Sequence, residues 1–174
     1  ALLMDIASGE EIAVDVYEYP HGVMEKELHT GEKLPFGFAL QHPQDYIDGL
    51  QIVIRGAMEK GNVNPCDVVG IGIDVTAASV LPIKRDTTPL SMLEEFANEP
   101  HAYIKLWKHH GGEAQANYID EVIAQRGEEW IELYGGKTSS EWFIPKVLET
   151  LQCAPRVYEE ADRFIDVMDW IVWM

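Results

Sequence analysis

Hydrophobic and polar positions alternate near the start of the chain and recur at helical spacing further on. Residues 12–16 alternate between apolar and other side chains, which predicts a strand. The apolar run 2–6 precedes this strand across a Ser-Gly turn, so the two segments are expected to form a β-hairpin. From Pro43 the apolar residues recur every three or four positions as far as Gly61, which predicts an amphipathic helix with these two residues near its ends.

A nearly continuous apolar run over residues 68–75 is interrupted only by Gly70 and Gly72. Such a run is typical of a strand that is buried on both faces in a parallel sheet, and the glycines indicate that another segment packs closely against it. The preceding helix and this strand are expected to form one α/β crossover unit. Residues 80–83 predict a second short strand.

Residues 20–43 show no sustained period and are interpreted as a long irregular segment, the excursion 20–43. The second half of the chain is predicted to be mainly helical. The pattern predicts, in order, a helix over 102–110, a helix over 114–126, a helix that starts at Ser139 or Ser140 and carries Pro145 in its first turn, a short helix from Pro155, a strand over 163–165 and a last helix capped by Asp169. The third helix has an apolar stripe of Trp142, Phe143, Val147, Leu148 and Leu151, which we expect to face the core.

Charge and cysteine content exclude several classes of protein. The 174 residues include 13 Lys and Arg against 30 Asp and Glu, a net charge of −17. We therefore expect no binding to the phosphate backbone of nucleic acids and none to anionic membranes. No apolar stretch approaches the roughly 20 residues that span a bilayer. Cys66 and Cys153 fit no metal-ligand spacing and favour a reducing compartment, so a cytoplasmic location is expected.

The segment 74–79 is the best candidate for chemistry, because it follows the predicted buried strand and ligands bind at the carboxyl ends of strands in open α/β sheets. Its small residues let a ligand approach the backbone, although spacing alone also fits a plain turn between two strands. A second candidate is the run 106–110, Leu-Trp-Lys-His-His, in which Trp107 either forms a wall of a polyol site or belongs to the core. His109 and His110 are adjacent, point to different faces of a helix and do not indicate a metal site.

Two further motifs carry no chemistry. The sequence Gly-Gly-Lys-Thr-Ser at 135–139 suggests a phosphate loop, but that motif needs a glycine at position 131, where this chain has Ile. The loop is therefore interpreted as the start of a capped helix. Asp162, Asp166 and Asp169 form an acidic run of the kind that is usually a solvated face rather than a cation site.

Taken together, several blocks of sequence resemble one family. These blocks are Phe-Ala-Leu-Gln-His-Pro at 38–43, Gly-Ile-Gly-Ile-Asp at 70–74, Leu-Pro-Ile at 81–83, Leu-Trp-Lys-His-His at 106–110, Gly-Gly-Lys-Thr-Ser-Ser-Glu-Trp at 135–142 and Asp-Trp-Ile-Val at 169–172. In this order they are similar to bacterial ribulokinases, which are carbohydrate kinases of the FGGY family. The resemblance implies an α/β, RNase H-like fold of the actin and sugar-kinase superfamily, with a mixed sheet flanked by helices.

The resemblance implies transfer of the γ-phosphoryl group of ATP, with Mg, to the 5-hydroxyl of L-ribulose in L-arabinose breakdown. Carried over position by position, the substrate-binding residues are Thr76, Ala77, Ala78, Trp107, Lys108, Glu141 and Trp142. Glycerol kinases have an Arg-Glu pair where this chain has Ala77 and Ala78, so the small pair would leave room for a five-carbon ketose. The small-molecule sugar is the expected partner.

The family's first strand, its phosphate loop and its catalytic aspartate find no counterpart among these residues. Residues 1–174 are therefore interpreted as part of the family's N-terminal, sugar-binding domain, expected to be inactive alone and without a catalytic, ATP-binding or metal-binding residue of its own. The exposed sheet edge of the hairpin predicts either self-association into a homo-oligomer or a poorly ordered N-terminus. Two alternatives remain open here: another pentulose kinase such as a xylulokinase, and a non-catalytic actin-like module that binds a sugar or a protein.

Overall fold

The strands form two separate sheets in the computed structural model, which describes residues 1–174. A hairpin is made of β1 (Leu2–Met4) and β2 (Glu11–Val14). The second sheet has the order β3-β5-β4-β6, with β3 at Leu40–Gln41, β4 at Val80–Ile83, β5 at Ile104–Lys105 and β6 at Arg163–Asp166. Every ladder is antiparallel. The α/β class is thus confirmed. The predicted parallel crossover unit does not form, and the sheet expected to mix parallel and antiparallel strands is antiparallel throughout.

Five α-helices surround the four-stranded sheet and the hairpin. They are α1 (Pro43–Gly61), α2 (Glu113–Arg126), α3 (Phe143–Cys153), α4 (Pro155–Glu160) and α5 (Val167–Trp173). Short 3-10 helices lie at 65–67, 90–92, 94–96, 100–102 and 129–134. The predicted hairpin, the helices from Pro43, over 114–126 and from Pro155, and the strands at 80–83 and 163–165 are confirmed. None of the helices is both long and apolar enough to cross a membrane.

Helix α1 is fixed at both ends by local hydrogen bonds. The His42 ring accepts a hydrogen bond from the Gln44 N–H at 3.1 Å, and Pro43 occupies the first helical position. At the other end Asn62 takes a left-handed φ of 49°. Along the helix, Gly56 leaves room for the Asp15 carboxylate, because a Cβ at position 56 would collide with it. The hairpin strand therefore lies directly against the helix.

The core forms under the four-stranded sheet. Strand β4 is buried along its whole length, and Trp170 of α5 is fully buried beside it, with its indole N–H donated to the Thr87 carbonyl at 2.9 Å. The excursion 20–43 is ordered, because it supplies Met24, Leu28, Phe38 and Leu40 to a second cluster around Tyr103. Packed apolar side chains thus hold a segment that has no regular pattern of its own.

Residues 68–75 do not form the predicted buried strand. The segment pairs with no other strand, and Val69 and Ile71 are exposed. A Cβ added at Gly70 or Gly72 would meet nothing within 4 Å, so the expected close packing is absent as well. Two glycines weaken a strand because they supply no side chain to pack, and the neighbouring strands β1 and β2 pair only with each other.

Two helix predictions are also wrong. Residues 102–110 form the end of a 3-10 helix, strand β5 and a turn, because Ile104 pairs with Gln41 in the sheet instead of facing one side of a helix. A short apolar run does not by itself distinguish strand from helix. The last helix is capped by Asp166, whose carboxylate accepts the Met168 N–H at 3.3 Å, and not by Asp169.

Acid should destabilise the fold through His101. Burial lowers the pKa of His101 to about 4, and the charge of Lys105 adds to this effect. The unfolded chain therefore binds more protons between pH 6.5 and pH 4, so stability falls as pH falls through this window. The loss is at most about 3–4 kcal/mol, at ~1.4 kcal/mol for each pKa unit. Denaturant unfolding at pH 7 and pH 4.5 should show a smaller difference in His101→Phe than in the unmodified protein.

The matched control is His110→Phe, since His110 is exposed. An equal loss of unfolding free energy between pH 7 and pH 4.5 in the unmodified protein and in His101→Phe would assign the acid sensitivity to other groups.

The hairpin should drive self-association, because each of its two strands leaves one edge unpaired and Leu2, Met4 and Val14 are about half exposed. Light scattering after size exclusion should show a mass that rises with protein concentration. Val14→Lys places a charge on the edge strand and should shift the protein towards the monomer. Val172→Lys, at an exposed apolar position of α5, is the control. A monomer at every concentration would contradict this expectation.

Candidate functional site

The turn that leads into β4 contains three of the predicted substrate residues. Thr76 and Ala77 are exposed and Ala78 is half-buried. The Ser79 hydroxyl donates to the Thr76 carbonyl at 2.6 Å, and the Ser79 N–H donates to the Asp166 carboxylate at 3.2 Å. These bonds close the turn and attach it to β6.

Ala78 has a backbone conformation that side-chain-bearing residues seldom adopt. Its φ is 57°, in the left-handed region. An L-residue there costs roughly 1–2 kcal/mol because its Cβ approaches the following carbonyl oxygen. Strain of this kind persists only where the surrounding structure holds it, and it is frequent at binding sites. The contact that holds Ala78 comes from α3.

The Lys146 ammonium group joins two predicted substrate segments. It donates to the Ala78 carbonyl at 2.8 Å and to the Leu106 carbonyl at 2.6 Å. Leu106 directly precedes Trp107, so the same buried cation contacts the backbone of both the 76–79 turn and the 106–110 run. Lys146 itself has no exposed surface.

A second buried lysine forms an ion pair beside the first. Lys105 donates to the Glu149 carboxylate at 2.7 Å, to the Thr150 hydroxyl at 2.8 Å and to the Lys146 carbonyl at 3.1 Å. All three ammonium hydrogens thus have acceptors. The other donor to Glu149 is His109, whose Nε2 lies 2.9 Å from the carboxylate. The Ala39 N–H approaches His109 Nδ1 at 3.3 Å, which assigns the ring proton to Nε2.

The charges of this network shift the pKa values of its members. Burial raises the pKa of Glu149, but the hydrogen bond from His109 and the charge of Lys105 outweigh it and hold the pKa at about 2. Burial, together with the positive charge of Lys105, lowers the pKa of Lys146 to about 8. Glu149 is therefore ionised and Lys146 largely protonated at neutral pH.

Helix α3 consequently turns a polar face to the interior. Its buried residues are Pro145, Lys146, Glu149 and Thr150, whereas Ile144 and Leu151 are exposed. The prediction that the apolar stripe of this helix faces the core is therefore wrong. Gly111 is required here by close approach, because a Cβ would lie 2.6 Å from His109 Nε2 and would also collide with the Glu149 carboxylate.

The structure separates Trp107 and Lys108. Trp107 is 47% exposed, which excludes the alternative that it is a core residue. Lys108 instead turns towards the excursion 20–43, where its ammonium group pairs with the Glu25 carboxylate at 2.6 Å. Of this pair only Trp107 is left without an ion-pair partner, and it follows directly on the Leu106 carbonyl that Lys146 binds.

Glu141 and Trp142 lie just before α3 and point to different neighbours. The Glu141 carboxylate is 4.0 Å from His110 Nε2, and its charge raises the pKa of Lys146 against the lowering by burial. Trp142 is the N-cap residue of α3, and its ring contacts Tyr134 with 5.6 Å between ring centres. Lys146, in the first turn of α3, thus joins the backbone of the 76–79 turn to that of the 106–110 run, and Glu141 lies near His110 at the end of that run.

One group of metal-ligating residue types comes together elsewhere. Ligand atoms of His21, His42 and Asp45 all lie within 4.8 Å of one another. His21 Nδ1 is bonded to the Asp45 carboxylate at 2.6 Å, and His42 Nδ1 accepts the Gln44 N–H. A neutral imidazole that accepts through Nδ1 carries its proton on Nε2, so His42 has no free lone pair. We assign these residues the role of fixing the start of α1.

Two concavities elsewhere on the molecule are lined by other residues. One, of about 690 Å³, surrounds the end of α1 at Arg55, Glu59 and Asn62. Another, of about 430 Å³ and mostly apolar, lies between the hairpin, α1 and residues 68–74. Neither contains any of the seven predicted substrate residues, and the second reflects the loose packing of the 68–75 segment.

Sequence reasoning missed Lys105, Lys146 and Glu149. A signal was present, because Lys146, Glu149 and Thr150 are spaced three and four residues apart and therefore share one helix face. Charged residues at such spacing are usually on the solvated side of a helix. Only the partners from distant segments identify this face as buried.

Glu149→Gln should destabilise the protein by about 3–5 kcal/mol, because it leaves Lys105 buried without its opposite charge. Urea unfolding followed by circular dichroism measures this loss. The control is Glu132→Gln at an exposed position, where we expect a change within about 0.5 kcal/mol. A loss below about 1 kcal/mol in Glu149→Gln, in the range of an exposed ion pair, would contradict the role given to this carboxylate.

Proteins named ribulokinase match the chain along its whole length. The ribulokinase of Bacillus licheniformis is 46% identical over 175 residues, covering 100% of this chain, and that of Mycolicibacterium smegmatis is 44% identical over 99% of it. A ribulokinase of Staphylococcus aureus is 36% identical over 98% of the chain. The chain spans about a third of the length of these relatives, 31–32% of each. It matches no protein-family model.

A solved structure shares the fold. A protein described as a "xyloylose kinase" from Brucella ovis superposes with a TM-score of 0.67 over 98% of this chain and 30% of its own, at 15% identity. At that identity the likeness concerns the fold alone, which is that of a sugar kinase. The sequence resemblance inferred from the six blocks is therefore confirmed: along its whole length this chain is similar to proteins named ribulokinase.

Proposed function

We propose that the chain is the sugar-binding part of a carbohydrate kinase that transfers the γ-phosphoryl group of ATP to the 5-hydroxyl of L-ribulose, in the degradation of L-arabinose in the cytoplasm. The observation that carries the proposal is the similarity to ribulokinases along all of its residues. Residues 1–174 would belong to the N-terminal domain of that enzyme. Of the seven residues predicted from the sequence, its sugar site would use Thr76, Ala77, Ala78, Trp107 and Glu141, since Lys108 and Trp142 turn to other neighbours.

The geometry of the site supports a ketose as the ligand. Ala77 and Ala78 carry only methyl groups, so the turn leaves space beside the backbone for a five-carbon sugar. The exposed face of Trp107 would pack on the C–H side of the sugar, as aromatic rings do with an apolar body. The Thr76 hydroxyl and the Glu141 carboxylate would take the hydrogen bonds of the sugar hydroxyls.

These residues would bind and orient the acceptor, which is much of what a protein contributes to phosphoryl transfer. ATP with Mg would supply the transferred group and neutralise its developing charge. The base that takes the hydroxyl proton and the groups that hold ATP are assigned to other parts of the kinase, so residues 1–174 alone should transfer no phosphate.

The test is an ADP-release assay of the full-length protein with MgATP and L-ribulose, D-xylulose or glycerol. We expect kcat/KM for L-ribulose to exceed the others by at least tenfold, since one added or lost contact changes discrimination by roughly 10–200-fold. Faster release with D-xylulose would favour another pentulose kinase, and no release with any sugar would favour the non-catalytic module.

Within that assay, Trp107→Ala should raise KM for the sugar by about tenfold, because a buried aromatic contact is worth on the order of 1–2 kcal/mol. Trp173→Ala is the matched control, since Trp173 is 48% exposed and lies at the end of α5. An unchanged KM in Trp107→Ala would remove this residue from the proposed sugar site.

A further inference from the structure

We infer that Lys146 is the positioning residue of the sugar site, which it shapes by holding the Ala78 and Leu106 carbonyls without contacting the sugar. This inference rests on the proposed function for its kinetic readout, although its structural part can be measured without any substrate. Two backbone segments that lie far apart in sequence meet at one buried ammonium group.

The need for such a residue follows from the left-handed Ala78. A turn with φ of 57° at an alanine relaxes to a commoner conformation unless a contact compensates its cost. The hydrogen bond from a charged donor to the Ala78 carbonyl is of the stronger class, and it is shielded from water because Lys146 is fully buried. The other hydrogen bonds of the turn are made by Ser79, to the Thr76 carbonyl and to the Asp166 carboxylate.

Lys146 is in turn fixed by its surroundings. Its own carbonyl accepts the Lys105 ammonium group at 3.1 Å, and Lys105 is bound to Glu149, one helical turn further along α3. The ammonium group of Lys146 is thus held by the same network that attaches α3 to the sheet. A sugar that enters between the 76–79 turn and Trp107 would meet a wall already in place, so no ordering cost is added to binding.

The experiment uses Lys146→Met in the full-length protein, with Lys137→Met as the matched control at an exposed position. Hydrogen exchange should become at least tenfold faster at the amides of residues 76–80 in Lys146→Met and should not change in α1 and α2. KM for L-ribulose should rise at least tenfold, while KM for ATP should stay within twofold. Lys137→Met should change none of these values.

A second variant perturbs the turn and leaves the buried network intact, so that the inference can be tested even where Lys146→Met does not fold. Ala78→Val introduces a β-branched residue, which the left-handed region strongly disfavours. It should raise KM for L-ribulose and accelerate exchange over 76–80, as Lys146→Met does. The double variant Ala78→Gly/Lys146→Met should regain about fivefold in KM over Lys146→Met, because glycine adopts positive φ without strain.

The outcomes separate this inference from the proposed function. A protein that does not phosphorylate L-ribulose refutes the proposed function, and exchange at 76–80 still decides the role of Lys146. An active protein in which Lys146→Met and Ala78→Val keep the normal KM refutes the inference alone. Faster exchange throughout the sheet and helices, with no rescue by glycine at position 78, shows a general stabilising role and also overturns the inference.

Discussion

The ion pair between Lys105 and Glu149 is the interaction on which the rest of the site depends. Both side chains are withdrawn from water, and each has its remaining hydrogen-bonding capacity taken up by neighbours. Burying two charges costs several kcal/mol for each ion, and the attraction between them offsets this only when the geometry is good and the network is complete. Here Thr150, His109 and a backbone carbonyl complete it, so α3 is attached to β5 by polar contacts where most helices use apolar ones.

In this arrangement, backbone atoms form much of the wall of the predicted sugar site. The side chains that face the site at positions 77 and 78 are methyl groups, so the shape of the wall is set by the course of the main chain. A substitution does not replace main-chain atoms, and their positions depend on the buried side chains that contact them from the side away from the site. In this protein a cation does so at two carbonyls, and Gly111 keeps the space in front of Glu149 open for the pair.

Periodicity predicted helix α1, whose stability is local, and also strands β4 and β6, which pair across the sheet, but it failed over 68–75 and 102–110. Helix α1 has a proline at its start, a cap at each end and a stripe of apolar residues, all visible in the sequence. The apolar run 68–75 has no such local support, and without a pairing strand its apolar residues alone do not make it one. Residues 104–106 fit a helix or a strand by sequence, and pairing with β3 and β4 selects the strand. The resemblance to a kinase family supplied Trp107 and the 76–78 turn, but it is silent on buried charges such as Lys146, whose partners lie 40 and 68 residues away.

Those separations have a consequence for how the chain folds. Contacts between residues that are far apart in sequence require large loops to close, and we expect them to form after the helices and the hairpin. The bonds from Lys146 to Ala78 and Leu106 are of this type, at separations of 68 and 40 residues. Interactions absent from the transition state slow unfolding and leave the folding rate nearly unchanged. The buried Lys146 should therefore lower the unfolding rate, and so lengthen the lifetime of the native state, without changing the folding rate.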